Sequence, residues 1–324
     1  MTDKNLKNRL PRCYGIIPAR YGSKRFPGKP LADILGKPMI LHVYERARRC
    51  VRLSSVFLAT DDDRIRFVAQ KWDIPVVMTR STHPSGTDRV MEAAAKLNLP
   101  TDSVVVNIQG DEPALEPAML TQLVRPFSAA DVQVTTLARK ISAEDVGNPD
   151  LVKVVFAADG RALYFSRSPI PHQREEQKNH YYGHIGIYAL RMKVLEKFVA
   201  LDQSRLEIIE RLEQLRLLEN NIAIHIVVTD HHTCGVDRPE DIETVSKIIS
   251  GNLARTKNSA TKTRRQKKNE TNNQTNTNQD DRCIRHGCPP HLWPVTQHFE
   301  YRHLLRQKHR SFTRGRNRFF PFAG

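Results

Sequence analysis

Between Tyr14 and Gln109, short runs of consecutive apolar residues alternate with longer segments in which apolar residues recur every three or four positions. The runs are YGIIPA, SVFLAT, PVVMT and SVVVNIQ. A strand that is apolar on successive residues is buried on both faces, the pattern of a parallel sheet covered by helices. The intervening segments supply the helices. Pro38 to Val51 places Met39, Ile40, Val43, Ala47 and Cys50 at helical spacing, with Pro38 in the first turn, where its missing N–H costs nothing. DDDRIRFVAQKW opens with acids that suit the positive end of a helix dipole, and TDRVMEAAAKL forms a third helix. The expected fold class is therefore α/β, a mainly parallel central sheet flanked by helices.

From about residue 130 to 190 the pattern becomes strand-rich, with VQVTTLARK, VKVVFAADGRALYFSRS and GHIGIYAL, and Asp159-Gly160 marks a hairpin between two apolar runs. A long helix from Leu206 to Asn220, the strand IAIHIVV and a helix from Arg238 onward close the unit. Near residue 251 the composition breaks. KTRRQKKNETNNQTNTNQDDR is polar and aperiodic, and cannot bury enough apolar surface to offset the entropy of ordering. Two regions follow: a folded domain over 1–250 and a disordered, basic tail over 251–324.

The division decides how the charge is read. Of the 51 Lys and Arg, 16 lie after residue 250, against 4 of the 35 Asp and Glu, so most of the formal +16 belongs to the tail. The folded part carries no charge excess that demands nucleic acid. A tail that touches nucleic acid or an anionic membrane surface stays open, and so does an extension of frame-shifted or read-through origin. Cys283-x-x-His286-x-Cys288, with His291 and His298 nearby, raises zinc, but its spacing matches no standard finger. The opening MTDKNLKNRLPRC lacks the apolar core of a secretory signal, and no apolar run approaches the roughly 18–20 residues of a membrane span. The five scattered cysteines fit a reducing compartment, so the expected address is cytosolic.

Ligands of open α/β sheets bind at the carboxyl ends of the strands. There the first strand runs into PARYGSKRFPGKPL, which sets Arg20, Lys24, Arg25 and Lys29 among glycines and prolines. Bare backbone N–H groups and cations point to a phosphate. A Walker A loop is excluded, because Lys29 is followed by Pro30, which offers no hydroxyl to magnesium. Two other strand ends carry acids, Asp111 in QGDEP and Asp237 in GVDRPED. They could hold a magnesium ion, which takes one or two carboxylates and fills its octahedron with phosphate oxygens and water. Alternatively Asp237 caps the last helix and Asp111 shapes a turn.

The blocks ARYGSKRFPGKPL, ATDDDRI, MTRSTHPSGTDRV, NIQGDEP, VKVVFAADGRALYFSRSPIP, HIGIYALR, LEQLRLL and GVDRPEDIETV, in this order over residues 13–250, resemble the 3-deoxy-manno-octulosonate (Kdo) cytidylyltransferases. The resemblance implies a Rossmann-like nucleotidyltransferase fold with a strand-rich insert for sugar binding and dimerisation. It further implies a homodimer, a Mg²⁺ cofactor, and in-line transfer of CMP from CTP to Kdo for lipopolysaccharide assembly. Arg20, Ser23, Arg25 and Lys29 would hold the triphosphate, with Arg20 and Lys29 counted as catalytic. Asp111 and Asp237 would be catalytic metal ligands. Ser85, Gly86 and Thr87 would lie by the nucleotide, and Gln109, Arg167, His184, Tyr188, Glu213 and Gln214 near the sugar. Glu213 and Gln214 are neighbours on the expected helix and would not face one way, so one of them would be structural. Gly183 and Arg238 depart from the family's pattern, where Arg and Thr are expected. CMP activation of an 8-amino sugar or a sialic acid is the alternative within the fold. A tail-driven nucleic-acid or membrane-surface binder with an inactive catalytic unit is the alternative outside it.

Overall fold

The computed structural model describes residues 10–23, 25–174 and 180–251. Lys24, the basic tail beyond 251 and the Cys283, His286, Cys288 spacing lie outside the described residues. Strand β1 (Cys13–Ala19) pairs in parallel with β4 (Leu53–Thr60) on one side and β6 (Val104–Asn107) on the other, and β4 pairs in parallel with β5 (Val76–Met78). These are the four apolar runs, and β6 is buried at every residue. A small ribbon, β2 (Asp33–Ile34) with β3 (Lys37–Pro38), precedes α1 (Met39–Ala47). Helices α2 (Asp63–Lys71), α3 (Gly86–Lys96) and α4 (Pro117–Val124) follow β4, β5 and β6. Asp62 caps α2, accepting from Arg64 N at 2.9 Å. Two apolar clusters, one including Ile17, Val104 and Leu120 and the other Ile16, Val105 and Val90, receive successive residues of β1 and β6 on opposite faces of the sheet.

The strand-rich part completes the sheet in the order β11-β7-β10-β6-β1-β4-β5. Here β10 (Tyr181–Arg191) lies antiparallel to both β6 and β7 (Val134–Ile141), while β11 (Ile224–Val228) is parallel to β7. The hairpin β8 (Lys153–Phe156) and β9 (Ala162–Ser166) turns at Gly160, whose φ of 85° is one that glycine adopts freely. Gly183 pairs with Lys153, and a Cβ there would stand 2.8 Å from Ile141, so the position where an Arg was expected has no room for one.

After α5 (Met192–Val199) the structure differs from the sequence expectation. The helix expected over Leu206–Asn220 is two short helices, α6 (Arg205–Glu210) and α7 (Leu215–Glu219). Arg211 between them is left-handed, with φ 54° and ψ 47°, and its N–H closes the end of α6 on Glu207 O. The break places Glu213 and Gln214 off any regular helix, so the opposition expected of adjacent helical residues does not apply to them. Among the described residues no helix is long and apolar enough to cross a membrane.

Candidate active site

Three chain segments meet beyond the carboxyl ends of β1 and β6. The loop after β1 folds around the Tyr21 carbonyl, which accepts from Ser23 N and Gly28 N, both at 2.9 Å. Gly28 has φ 73°, and a Cβ there would come within 3.1 Å of the Tyr21 ring. The Arg64 guanidinium lies 3.3 Å from that ring's centroid and is itself held by Asp62. The loop after β6 passes β1 at Gly110, where a Cβ would meet Pro18 O at 2.8 Å; only bare backbone fits. The third segment is pinned to the second by Val236 N donating to Asp111 O at 2.9 Å.

Lys29 joins all three. Its ammonium donates to Asp111 Oδ2 at 2.7 Å and to Val236 O at 2.6 Å, and lies 3.5 Å from Asp237 Oδ1. Arg25 reaches the same Asp237 oxygen at 3.3 Å. The last helix runs over 241–251 rather than from Arg238; Asp241 Oδ2 accepts from the N–H groups of Asp237 and Arg238, each at 2.8 Å, and the Asp237 carboxylate is turned to Arg25 and Lys29. Asp111 and Asp237 thus converge on one cationic position. Among the described residues no three His, Cys, Asp or Glu side chains gather as a metal cluster. Two carboxylates reaching a common cation, beside a phosphate-sized space, suit a magnesium ion that takes its other ligands from phosphate and water. Behind them Glu112 accepts from the Thr233 hydroxyl; burial pushes its carboxyl up to about 7 against that bond, and the charges of Asp111 and Asp237 add to the rise.

The cavity at this junction is about 250 Å³, and Arg20, Ser23, Arg25, Lys29, Asp111 and Asp237 line it. Ser85, Gly86 and Gln109 line it as well, together with two residues that sequence reasoning did not single out, His83 and Arg89. Arg89 is buried and paired with Asp61 at 3.2 Å. A charged residue on the apolar face of α3, four positions after Ser85, was the signal for it. Ser85 caps α3, accepting from Thr87 N at 3.1 Å and Asp88 N at 3.2 Å and donating to Asp88 Oδ2. Its hydroxyl serves the helix, while its position puts the positive end of the α3 dipole at the cavity wall.

Thr87 turns the other way, into a second, water-sized cavity of about 20 Å³ lined also by Asn107, Tyr188, Glu213 and Gln214. Asn107 is the other residue missed, and the signal was a polar side chain ending the apolar run SVVVN. His184 stands beside Tyr188, ring centroids 5.4 Å apart, and against Phe165 at 5.1 Å. Burial lowers the His184 pKa to about 3, so the ring is neutral. Its Nε2 lies 2.9 Å from the Thr136 hydroxyl, which is also within hydrogen-bond distance of the Ile187 carbonyl of β10. Burial also raises the Glu213 carboxyl, against the opposing pull of the Thr87 and Ser85 hydroxyls. Gln109 donates to Gly186 O at 3.0 Å. Arg167 lines neither cavity; its guanidinium donates to Glu210 O at 2.9 Å and Pro149 O at 3.0 Å.

The arrangement offers cations and a metal-capable acid pair on one side, and a neutral His184 with the partly desolvated Glu213 carboxyl on the other. Comparison with known proteins agrees. The cytidylyltransferase family profile matches residues 14–226. The 3-deoxy-manno-octulosonate cytidylyltransferase of Nitratidesulfovibrio vulgaris is 59% identical over 244 residues, covering 74% of this chain and 97% of the relative. The 8-amino-3,8-dideoxy-manno-octulosonate cytidylyltransferase of Shewanella putrefaciens is 46% identical over 230 residues, 70% of this chain and 94% of the relative. A CMP:2-keto-3-deoxy-manno-octonic acid synthetase solved in complex with CTP superposes with a TM-score of 0.71 at 43% identity, covering 74% of this chain and 99% of that one. The chain belongs to the cytidylyltransferase family, among the 3-deoxy-manno-octulosonate cytidylyltransferases.

Proposed function

We propose that the chain transfers CMP from CTP to Kdo, giving CMP-Kdo and diphosphate, with the chemistry carried by residues 1–250. The observation that carries the reading is the Lys29 ammonium set between Asp111 and Asp237 at the mouth of an arginine-lined cavity. The sugar's anomeric hydroxyl attacks the α-phosphorus as its proton passes to water, and the bond from the α-phosphorus to the bridging oxygen breaks as diphosphate departs. Arg20, Arg25 and Lys29 neutralise the triphosphate and the leaving group, the positioning and charge stabilisation on which phosphoryl transfer depends. Ser23, Ser85, Gly86 and Thr87 belong to the nucleotide side, with Thr87 bridging to the sugar side. Gln109, His184, Tyr188, Glu213 and Gln214 hold the acceptor; Arg167, whose guanidinium donates to Glu210 O and Pro149 O and lines neither cavity, would have to leave those bonds to reach the sugar's acid. Magnesium, held by Asp111 and Asp237, would supply Lewis-acid charge at the α-phosphate and acidify the attacking hydroxyl.

A cytosolic setting and a homodimer belong to the same proposal; the free thiols Cys13, Cys50 and Cys234 fit a reducing compartment. The test is diphosphate release by the full chain with CTP and Mg²⁺, with Kdo, its 8-amino analogue or sialic acid as acceptor. Release with Kdo supports the reading. Preference for the 8-amino sugar moves it to the other named relative, and silence with every acceptor from folded protein defeats it.

A further inference from the structure

We infer that Asn107 and Thr87 form a positioning relay that sets the carboxylate of Glu213 and ties it to the end of α3 that faces the nucleotide. The inference rests on the proposed function for the identity of the two substrates. Hydrogen-bond direction is its first support. Asn107 Nδ2 has only protons to give and donates to Thr87 Oγ1 at 3.2 Å. The single proton of Thr87 is therefore committed to Glu213 Oε1, at 2.6 Å. One carboxylate oxygen is fixed, and the other, Oε2, is buried without a partner among the described residues. Asn107 Oδ1, Tyr188 Oη and Gln214 Nε2 are in the same condition around the same small cavity. Buried polar atoms without partners are costly, so the one bond that Glu213 makes through Oε1 decides how its carboxyl group is turned.

The second support is where the relay is anchored. Asn107 lies on β6 in register with Tyr188 of β10, so its amide is set by the sheet. Thr87 occupies the first turn of α3, two residues after Ser85, which caps that helix and lines the nucleotide cavity with Gly86. Glu213, in contrast, belongs to the irregular stretch between α6 and α7. The Thr87 hydroxyl donates to Glu213 Oε1 at 2.6 Å, whereas the Ser85 hydroxyl, nearby on the same turn, gives its proton to Asp88. A displacement of the α3 turn by bound nucleotide therefore moves the hydroxyl that holds Glu213. The relay thus makes nucleotide binding and acceptor orientation parts of one movement.

Thr87→Val keeps the shape and removes the relay; Thr87→Ser restores the hydroxyl. The expected result is a rise of about tenfold or more in KM for Kdo in Thr87→Val, clearly larger than any change in KM for CTP, and recovery of both in Thr87→Ser. A crystal structure of Thr87→Val is expected to show the Glu213 carboxylate turned from its native position. Glu213 unmoved in that structure, or CTP and Kdo affinities weakened alike, would overturn the relay. If Thr87→Val does not fold, Asn107→Ala, which releases the Thr87 proton from its set direction, takes its place with the same readouts. A wild-type chain inactive with Kdo would defeat the proposed function instead, and the position of Glu213 in the variant crystal would still decide the relay.

Discussion

The Lys29 ammonium stands 2.7 Å from Asp111 Oδ2 with its side chain only 14% exposed, so a cation of the loop after β1 is also the counter-charge of the candidate metal ligands. Replacing it should therefore act on both. A hydrogen bond to a charged group contributes about 1.5–3 kcal/mol, equivalent to roughly ten- to hundredfold in an equilibrium. Lys29→Met is expected to lower kcat/KM for CTP by about that factor, while the magnesium concentration for half-activity falls because the two acids lose a competing cation. Steady-state kinetics across magnesium concentrations measure both; CTP dependence equal to wild type would remove Lys29 from the site.

Asp111→Asn keeps the shape and one oxygen and removes the charge. Asp111 is the better shielded of the pair, 34% exposed against 56% for Asp237, so its carboxylate is the less screened by water. Turnover in Asp111→Asn is expected to fall by about a hundredfold or more, and in Asp237→Asn by less, with unfolding temperatures near wild type. Equal turnover at every magnesium concentration would sink the metal assignment.

These two positions were readable from sequence because they sit where apolar runs stop. A buried strand must be apolar on both faces, so its end is marked by the first polar or glycine residue, and QGDEP and ARYGSKR both begin there. The parallel half of the sheet was readable for the same reason. The direction of β10 was not: alternation of buried and half-buried residues in HIGIY fixes a strand but says nothing of its sense beside β6 and β7. Nor was the break at Arg211, because the residues around it keep helical spacing and no glycine, proline or asparagine marks the turn. That break is what gives Glu213 and Gln214 a shared cavity. Asn107 carried a legible signal, a polar residue in a buried run, whose use became visible only with Thr87 and Glu213 beside it.

His184 sets an acid limit on stability. Its folded-state pKa, about 3, lies below the ordinary value of 6.5, so between those values the unfolded chain binds the proton that the folded chain refuses. The contribution of the neutral ring is complete above pH 6.5 and is lost as pH falls from there toward 3, with a slope of at most about 1.4 kcal/mol per pH unit. His184→Gln is expected to flatten the fall in unfolding temperature between pH 6.5 and 4, though lowering stability at pH 7 through lost contact with Phe165 and Tyr188. An unchanged acid slope in His184→Gln would mean that other groups govern it.

Arg211 tests whether the backbone break is held by its neighbours or merely tolerated. It is exposed and left-handed, a conformation that costs a residue with a Cβ about 1–2 kcal/mol. Glycine removes that cost but adds freedom to the unfolded chain, about 0.5–1 kcal/mol against it. Arg211→Gly is therefore expected to leave stability unchanged or raise the unfolding temperature by about 2–4 °C, with activity intact. Arg211→Val, branched at Cβ and strained in this region, should lower it by a similar amount or more and raise KM for the acceptor, since Glu213 follows two residues later. Calorimetric scans of the two variants decide the matter: a fall in Arg211→Gly as large as in Arg211→Val would show that the Arg211 side chain, and not its backbone, holds the break.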